Sequence, residues 1–184
     1  MGEYKILGRD KILESHAFDI EKIHYELPNG LQRSYDLVDH SDAVTLVPVS
    51  ESGEVYFVRQ YRVGAESIIL ELPAGVLDLG EEPIDTAKRE LREEIGMAAD
   101  DVAEIGKFYT SPGYSNEFMT IFLARGLYPA PLKADDDEFL AVEHYPLEQV
   151  FEMVRSGEIQ DSKSLAGLLL ALPYLKEGLS SLGF

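Results

Sequence analysis

The first part of the chain alternates between apolar and polar positions with the period of two that is typical of β-strands. Residues 31–37 alternate in this way, and Pro28-Asn29-Gly30 before them is a turn sequence that favours a hairpin with residues 18–27. A small hairpin is only marginally stable by itself, so it must pack on the rest of the chain or on a second subunit. We therefore treat residues 1–40 as an N-terminal antiparallel β-sheet segment and residues 41–184 as the main domain.

Apolar runs rich in β-branched and aromatic residues follow in the main domain, and each is short enough for a strand. These predicted strands cover residues 43–49, 55–61, 68–72, 102–110, 117–124 and 139–144. Later the apolar spacing becomes helical, first between Pro146 and Gly157 and then after an N-cap at Asp161 or Ser162. The second of these helices is expected to bury a stripe made of Leu165, Leu168, Leu169 and Leu172.

Another amphipathic helix is predicted in the middle of the chain. Pro83 suits its first turn, and Gly96 lies where it must end. The apolar residues that recur at helical spacing between them are Ile84, Ala87, Leu91 and Ile95. This stripe can lie on a sheet and leaves the other faces of the helix to polar residues.

Three glutamates share one arc of this helix, which turns by about 100° per residue: Glu90, Glu93 and Glu94. Glu90 and Glu94 are like charges one turn apart, an arrangement that costs about 0.3 kcal/mol, and no basic residue lies one turn away from either. The spacing alone leaves two interpretations open. The arc is either a solvated acidic face or a place where carboxylates collect a hard divalent cation such as Mg²⁺.

Charge and cysteine content exclude several classes of function. The net charge of −18 argues against binding to a nucleic-acid backbone, which requires a basic stripe. A polyanionic substrate would have to be attracted by bound metal and a few placed Arg or Lys residues. The chain has no cysteine, so it has no disulfide or thiolate metal site, which fits a reducing cytoplasm. Its start leads into no apolar signal core, and its longest apolar run, near residues 165–175, is too short to span a bilayer.

The stretch from Gly75 to Met97 resembles the Nudix box, Gly-x5-Glu-x7-Arg-Glu-(aliphatic)-x-Glu-Glu-x-Gly-(aliphatic). Every fixed position is filled, by Gly75, Glu81, Arg89, Glu90, Leu91, Glu93, Glu94 and Gly96, with Met97 in the final apolar position. The resemblance implies an α/β fold, in which residues 41–184 form a Nudix α/β/α sandwich with a mixed sheet and the N-terminal segment adds a small antiparallel β-sheet. It also implies an enzyme that hydrolyses diphosphates linked to another moiety with metal-activated water.

The resemblance also implies which residues bind metal and carry the catalysis. The implied metal ligands are Glu90, Glu94, the carbonyl of Ala74 and, as a further ligand, Glu93. They would hold two or more Mg²⁺ ions per site, with Mn²⁺ as the alternative ion. Glu93 is also a catalytic candidate, together with Arg89, which would orient the glutamates. A carboxylate of the acidic run before residue 139 would be the general base or a further ligand, with Glu138, Asp137 and Asp136 as alternatives in that order.

The loop at residues 111–116 is expected to select the substrate. Pro112, fifteen residues after Met97, resembles the proline that marks ADP-ribose hydrolases, whereas Tyr114 resembles a tyrosine of dinucleoside polyphosphate hydrolases. We favour ADP-ribose because Pro112 and Gly113, followed by Glu117 as an acceptor for ribose hydroxyls, match that branch more fully. The other candidate substrate contacts are Arg62 on the diphosphate, Glu71, and Arg33 and Tyr35 on the base, with ordinary strand positions as the alternative for the last two.

The function implied is metal-dependent hydrolysis of the pyrophosphate bond of ADP-ribose or a related nucleoside diphosphate sugar, giving AMP or another nucleoside monophosphate and a sugar phosphate. The alternatives are a dinucleoside polyphosphate hydrolase and a non-catalytic Nudix domain that senses ADP-ribose or nucleotides. Proteins of the ADP-ribose pyrophosphatase branch exchange an N-terminal sheet between subunits, so a homodimer is expected. The expected partners are thus a small nucleoside diphosphate and a second copy of the chain in the cytoplasm, without nucleic acid or membrane.

Overall fold

The computed structural model describes residues 2–133 and 139–175, and the chain divides into two compact units. Unit 1 comprises Met1–Asp42 and Tyr109–Phe118, and unit 2 comprises Ala43–Phe108 and Met119–Phe184. Unit 1 thus joins the N-terminal segment to a loop from the main domain. Exchange of the N-terminal segment between subunits stays a prediction.

Unit 1 is built on a three-stranded antiparallel sheet in which β1 (Lys5–Leu13), β2 (Asp19–Glu26) and β3 (Gln32–Asp39) are neighbours in chain order. The predicted hairpin turn lies between β2 and β3, where the Gly30 N–H donates to the Leu27 carbonyl at 2.9 Å. Gly30 has a φ of +82°, which L-residues with a side chain rarely adopt. The turn sequence therefore predicted this hairpin correctly.

The sheet of unit 1 buries very little apolar surface. Within the part of this unit that the structure describes, Ile23 is the one buried hydrophobic residue. Leu31 and Tyr35, which carry the predicted alternation, remain about half exposed, at 50% and 49%. The alternation therefore predicted the strand correctly, but this chain does not bury the Leu31 and Tyr35 side chains.

The described part of unit 2 contains two sheets and a single 3₁₀ turn at Val63–Ala65. Its strands are β4 (Ala43–Pro48), β5 (Glu54–Arg62), β6 (Ser67–Glu71), β7 (Ala74–Val76), β8 (Met97–Tyr109), β9 (Phe118–Pro129) and β10 (Ala141–Pro146). One sheet is antiparallel, with the order β10-β5-β6. The other has the order β7-β4-β9-β8 and is mixed, because β4 pairs antiparallel with β7 and parallel with β9. The predicted mixed sheet is confirmed.

Three helices complete the described part of unit 2: α1 (Pro83–Glu94), α2 (Leu147–Ser156) and α3 (Ser162–Leu175). The side chains of β4 alternate between two apolar clusters, with Val44 and Leu46 in the cluster that holds α1 and Val47 in the cluster that holds α2 and α3. Helices therefore cover both faces of this strand, which gives the predicted α/β/α layering. No helix in residues 2–133 and 139–175 is long and apolar enough to cross a membrane.

The apolar stripe predicted for α3 is wrong at one position. Leu169 is 66% exposed, whereas Gly167 and Ala171 face the core. A Cβ on Gly167 would lie 2.9 Å from Cδ1 of Leu72, so the helix backbone approaches the sheet closely at this point. Because small residues set this contact, the buried face is rotated away from the face that the leucines alone suggest.

Candidate active site

The glutamates of the box lie on α1 beside the short strand β7. The apolar stripe of α1 is buried as predicted, with Ala87 0% and Leu91 1% exposed. Docking of this stripe turns the acidic arc toward β7, where Glu94 Oε2 accepts the Ala74 N–H at 2.8 Å. Glu90 and Glu94 are only 8% and 5% exposed, so a solvated acidic face is ruled out for these two residues.

Steric contacts explain why the first position of the box is a glycine. A Cβ built on Gly75 would lie 1.8 Å from Glu90 Oε1 and 2.0 Å from its Cδ. Any other residue at this position would push the Glu90 side chain out of its place. Gly75 therefore lets a carboxylate approach the backbone of β7 closely.

Arg89 connects three glutamates of the box. One of its terminal nitrogens, Nη1, donates to Glu90 Oε1 at 2.6 Å and to Glu93 Oε2 at 2.9 Å. Its Nε and Nη2 donate to the two carboxylate oxygens of Glu81 at 3.3 and 3.1 Å. The Nη2 group also donates to the Val76 carbonyl at 3.3 Å, which ties the helix to β7. The positive partner of Glu90 is thus Arg89, its neighbour in the sequence. A search of the positions one helical turn away from Glu90 does not find this partner.

This arrangement shifts the proton equilibria of the partners. Hydrogen bonds to Glu81 raise the pKa of Arg89 above its usual value, and those to Glu93 and Glu90 add to the effect. The hydrogen bond from Arg89 lowers the pKa of Glu81 in turn. Both side chains are therefore charged at neutral pH, with one cation facing several carboxylates.

The donor atoms around β7 fit a hard divalent cation in kind. Glu90, Glu93, Glu94 and the Ala74 carbonyl offer only oxygen atoms, the donors that Mg²⁺ prefers. Across the residues that the structure describes, no three Asp, Glu or His side chains already converge closely enough to hold an ion. Binding of a cation would therefore require these oxygen atoms to come closer together than they are here.

A second charged network lies at the end of β6. Glu71 is completely buried, and both of its oxygens accept hydrogen bonds from Arg62, at 2.7 Å from Nε and 2.8 Å from Nη2. Lys163 also donates to Glu71 Oε2 and lies 3.0 Å from Asp161 Oδ2. The hydrogen bonds to Glu71 raise the pKa of Arg62, and the charges of Glu94 and Asp161 act in the same direction.

The loop predicted to select the substrate belongs to unit 1, where it is fastened to β3. The Val38 N–H donates to the Tyr114 carbonyl at 2.8 Å, and the Asn116 N–H donates to the Val38 carbonyl at 3.3 Å. At the loop's end, Glu117 Oε2 accepts the Thr110 hydroxyl at 2.6 Å, and its Oε1 lies 3.8 Å from Nδ1 of His40. This loop is therefore held by backbone hydrogen bonds to β3 and by the hydrogen bond between Thr110 and Glu117.

The other predicted substrate contacts divide between the units. Pro112 and Gly113 form the turn of the loop in unit 1, and a Cβ on Gly113 would meet no atom within 4 Å. Arg33 and Tyr35 lie on β3 of the same unit, where Arg33 Nη1 donates to the Gln32 carbonyl at 2.9 Å. The structure places Arg62 and Glu71 in unit 2, with all residues of the box.

Two catalytic candidates, Glu138 and Asp137, lie outside the described residues, and the same holds for Asp136. Lys163 belongs to the charged network around Glu71 but was not among the residues predicted from the sequence. The signal that was present is the sequence Asp161-Ser-Lys-Ser164, which combines an N-cap with a charged residue on an otherwise apolar helix. It marks the start of the helix, but it does not indicate which strand the lysine meets.

Known proteins similar to this chain match nearly its whole length. The NUDIX domain family matches residues 39–167. An ADP-ribose pyrophosphatase from Bacillus subtilis (strain 168) is 38% identical over 164 residues, which cover 88% of this chain and 89% of that protein. The ADP compounds hydrolase NudE from Escherichia coli (strain K12) is 31% identical over 173 residues, 93% of this chain and 92% of that protein. A crystal structure of an ADP compounds hydrolase superposes with a TM-score of 0.85 at 29% identity, covering 96% of each chain.

Proposed function

The chain belongs to the NUDIX domain family, and from that premise we propose that it hydrolyses the pyrophosphate bond of ADP-ribose or of a related nucleoside diphosphate sugar. The products are AMP, or another nucleoside monophosphate, and a sugar phosphate; from ADP-ribose the latter is ribose 5-phosphate. The observation that carries this assignment is the complete box, with Glu90 and Glu94 buried beside β7, in a chain 38% identical to an ADP-ribose pyrophosphatase.

Nudix hydrolases generally depend on divalent metal ions, and the oxygen donors around β7 fit such ions. We propose that Glu90 and Glu94 hold Mg²⁺, with Mn²⁺ as the alternative, and that Glu93 and the Ala74 carbonyl add ligands for two or more ions. When bound, such ions lower the pKa of a coordinated water and neutralise phosphate charge. Gly75 makes room for Glu90 at this place, and the Ala74 N–H orients Glu94.

Arg89 acts in this proposal as a positioning residue, because its planar group of donors fixes the directions of three glutamates. Arg62 would contact the substrate diphosphate. Its Nε and Nη2 bond to Glu71, while its side chain stays 43% exposed. We propose Glu138 or Asp137 as the general base that takes the proton of the attacking water.

Recognition of the nucleoside is assigned to residues of unit 1, from this chain or from a second subunit. Pro112, Gly113 and Glu117 carry the resemblance to ADP-ribose hydrolases, and Arg33 and Tyr35 are proposed for the base. The support for Tyr35 is its exposure of 49%, which leaves a ring face available for stacking.

We further propose that the protein is a homodimer that works in the cytoplasm. The sheet of unit 1 exposes large apolar side chains, including Tyr4 and Ile6 at 61% each and Ile12 at 53%, and apolar surface of this kind favours association. Sedimentation of the full chain is expected to give twice its mass of 20.5 kDa. A monomer at micromolar concentration would contradict the dimer without affecting the proposed chemistry.

The decisive test of function is hydrolysis of ADP-ribose in Mg²⁺, followed by chromatography of AMP and ribose 5-phosphate, with and without EDTA. We expect both products in Mg²⁺ and none in EDTA. A panel with GDP-mannose and diadenosine polyphosphates, compared by kcat/KM, separates the candidate substrates. Preference for the diadenosine compounds would favour the dinucleoside polyphosphate hydrolase, and binding of ADP-ribose without turnover would favour a sensor domain.

A further inference from the structure

A buried carboxylate in unit 2 is shared by two cations that come from distant parts of the chain. Glu71, at the end of β6, is 0% exposed and bonds through both oxygens to Arg62. Its Oε2 also accepts a hydrogen bond from Lys163, which lies in the first turn of α3. Lys163 is 13% exposed and Arg62 is 43% exposed, so Arg62 is the cation that a solute can reach.

The start of α3 fixes Lys163 in this position. Asp161 caps the helix by accepting the Ser164 N–H at 2.9 Å and the Ser164 hydroxyl at 2.5 Å. The Ser164 hydroxyl oxygen also accepts the Leu72 N–H at 2.7 Å, which ties the helix to the residue after Glu71. The same oxygen of Asp161, Oδ2, lies 3.0 Å from Lys163 Nζ. Lys163 is therefore held by a carboxylate on either side.

The ion pairs around Glu71 contain equal numbers of positive and negative charges, and the charge of Glu94 acts on Arg62 from outside these pairs. Arg62 and Lys163 are two cations that face two carboxylates, Glu71 and Asp161. Without Lys163 the remaining three charges would sum to −1, in a chain whose net charge is already −18. A buried carboxylate interacts strongly with its neighbours because water screens it poorly. This surplus of negative charge would therefore repel any anion that approaches Arg62.

We propose that Lys163 is a positioning residue for the reaction: by sharing Glu71 and offsetting Asp161, it keeps Arg62 oriented and electrostatically available for the diphosphate of the substrate. This inference rests on the proposed function, in which Arg62 contacts that diphosphate. It adds a residue of α3, far from the box in sequence, to the determinants of substrate affinity. Lys163 itself does not touch the reacting atoms.

The test is the kinetics of Lys163→Met with ADP-ribose in saturating Mg²⁺. We expect KM to rise about 5-fold and kcat to change less than about 2-fold, since the lost interaction supports the ground state and the transition state equally. Lys163→Arg keeps the charge and is expected to restore most of the affinity. Lys107→Met is the matched control, because it removes one exposed lysine of unit 2 that pairs with Glu104.

A second variant separates the charge balance from mere structural support. Asp161→Asn removes one negative charge, and Asn remains a good N-cap, so α3 should keep its start. We expect this variant to lower KM by about 3-fold in the wild-type background and to recover affinity when added to Lys163→Met. A merely structural role for Lys163 would not produce this recovery. The prediction for Asp161→Asn holds even if Lys163→Met fails to fold.

The outcomes distinguish this inference from the proposed function. A wild-type protein without hydrolase activity on nucleoside diphosphate sugars would overturn the proposed function and this inference with it. Active wild type together with an unchanged KM in Lys163→Met, or a KM in Asp161→Asn that stays the same or rises, would overturn the inference alone. An equal rise of KM in Lys107→Met would also overturn it, because net charge would then explain the effect.

Discussion

Arg89 and Arg62 of unit 2 each bind carboxylates, but the balance of positive and negative charge differs between the two clusters. Arg89 faces three carboxylates, those of Glu81, Glu90 and Glu93, so this cluster keeps a surplus of negative charge. In the ion pairs around Glu71 the number of carboxylates equals the number of cations, because Lys163 joins Arg62 there. A surplus of oxygen donors suits a divalent cation, whereas a network of balanced ion pairs adds no net negative charge that would repel an anion from its arginine.

The difference shows how a chain with a net charge of −18 can act on a polyanion. The surplus around Arg89 lies where α1 meets β7, and bound cations would neutralise it there. The balanced network lies at the end of β6 and combines residues of β5, β6 and α3. The proposed chemistry needs both charge patterns, and changes at Glu94, Gly75 and Arg89 test the acidic one.

The largest effect is expected for Glu94→Gln. Gln keeps the oxygen that accepts the Ala74 N–H, so the fold should remain, but it removes the charge that would hold the metal. We expect kcat for ADP-ribose to fall by at least about 100-fold, equivalent to about 2.7 kcal/mol of activation free energy. Glu104→Gln, on the exposed side of β8, is the matched control. Turnover close to wild type in saturating Mg²⁺ would contradict the metal assignment.

A smaller effect is expected for Gly75→Ala, which tests whether the position of Glu90 matters as much as its charge. The added Cβ would lie 1.8 Å from Glu90 Oε1, so the side chain must move. We expect kcat to fall about 30-fold, since misplacing a reacting group by about 1 Å costs up to about 100-fold. Gly64→Ala is the control, because a Cβ there meets no atom within 4 Å. Equal kcat in the two variants would show that Glu90 can act from another position.

The sequence predicted the acidic cluster well because its residues are local. Gly75, Pro83 and Gly96 mark the loop and both ends of α1, and the period of the apolar residues sets the buried face. The resemblance to the box added the roles proposed for the glutamates. The same local signals predicted the hairpin between β2 and β3, where Gly30 has a positive φ.

The balanced network could not be predicted in the same way, because the residues of its ion pairs are far apart in sequence. Lys163 and Glu71 are separated by 92 positions, and only the packing of α3 on the sheet brings them together. That packing depends on Gly167 and Ala171, and the spacing of the leucines led us to expect Leu169 in the buried face. Strand β7 has only three residues, too few for any periodic signal.

The smallest effect is expected for the stability of Arg89→Met, measured in EDTA as a function of pH. Arg89 lowers the pKa of Glu81 below its usual value of 4.5 in the folded protein. This stabilisation is therefore present above pH 4.5 and is lost as the pH falls through the lowered folded value. We expect the variant to be less stable by about 1 kcal/mol at pH 7, allowing for screening by solvent. The difference in stability between the variant and the wild type should shrink toward pH 3.

Arg155→Met, which breaks an exposed pair with Glu152, is the control and should show almost no difference in stability at either pH. A stability difference for Arg89→Met that does not change with pH would mean that packing, and not the charge of the glutamates, accounts for the contribution of Arg89.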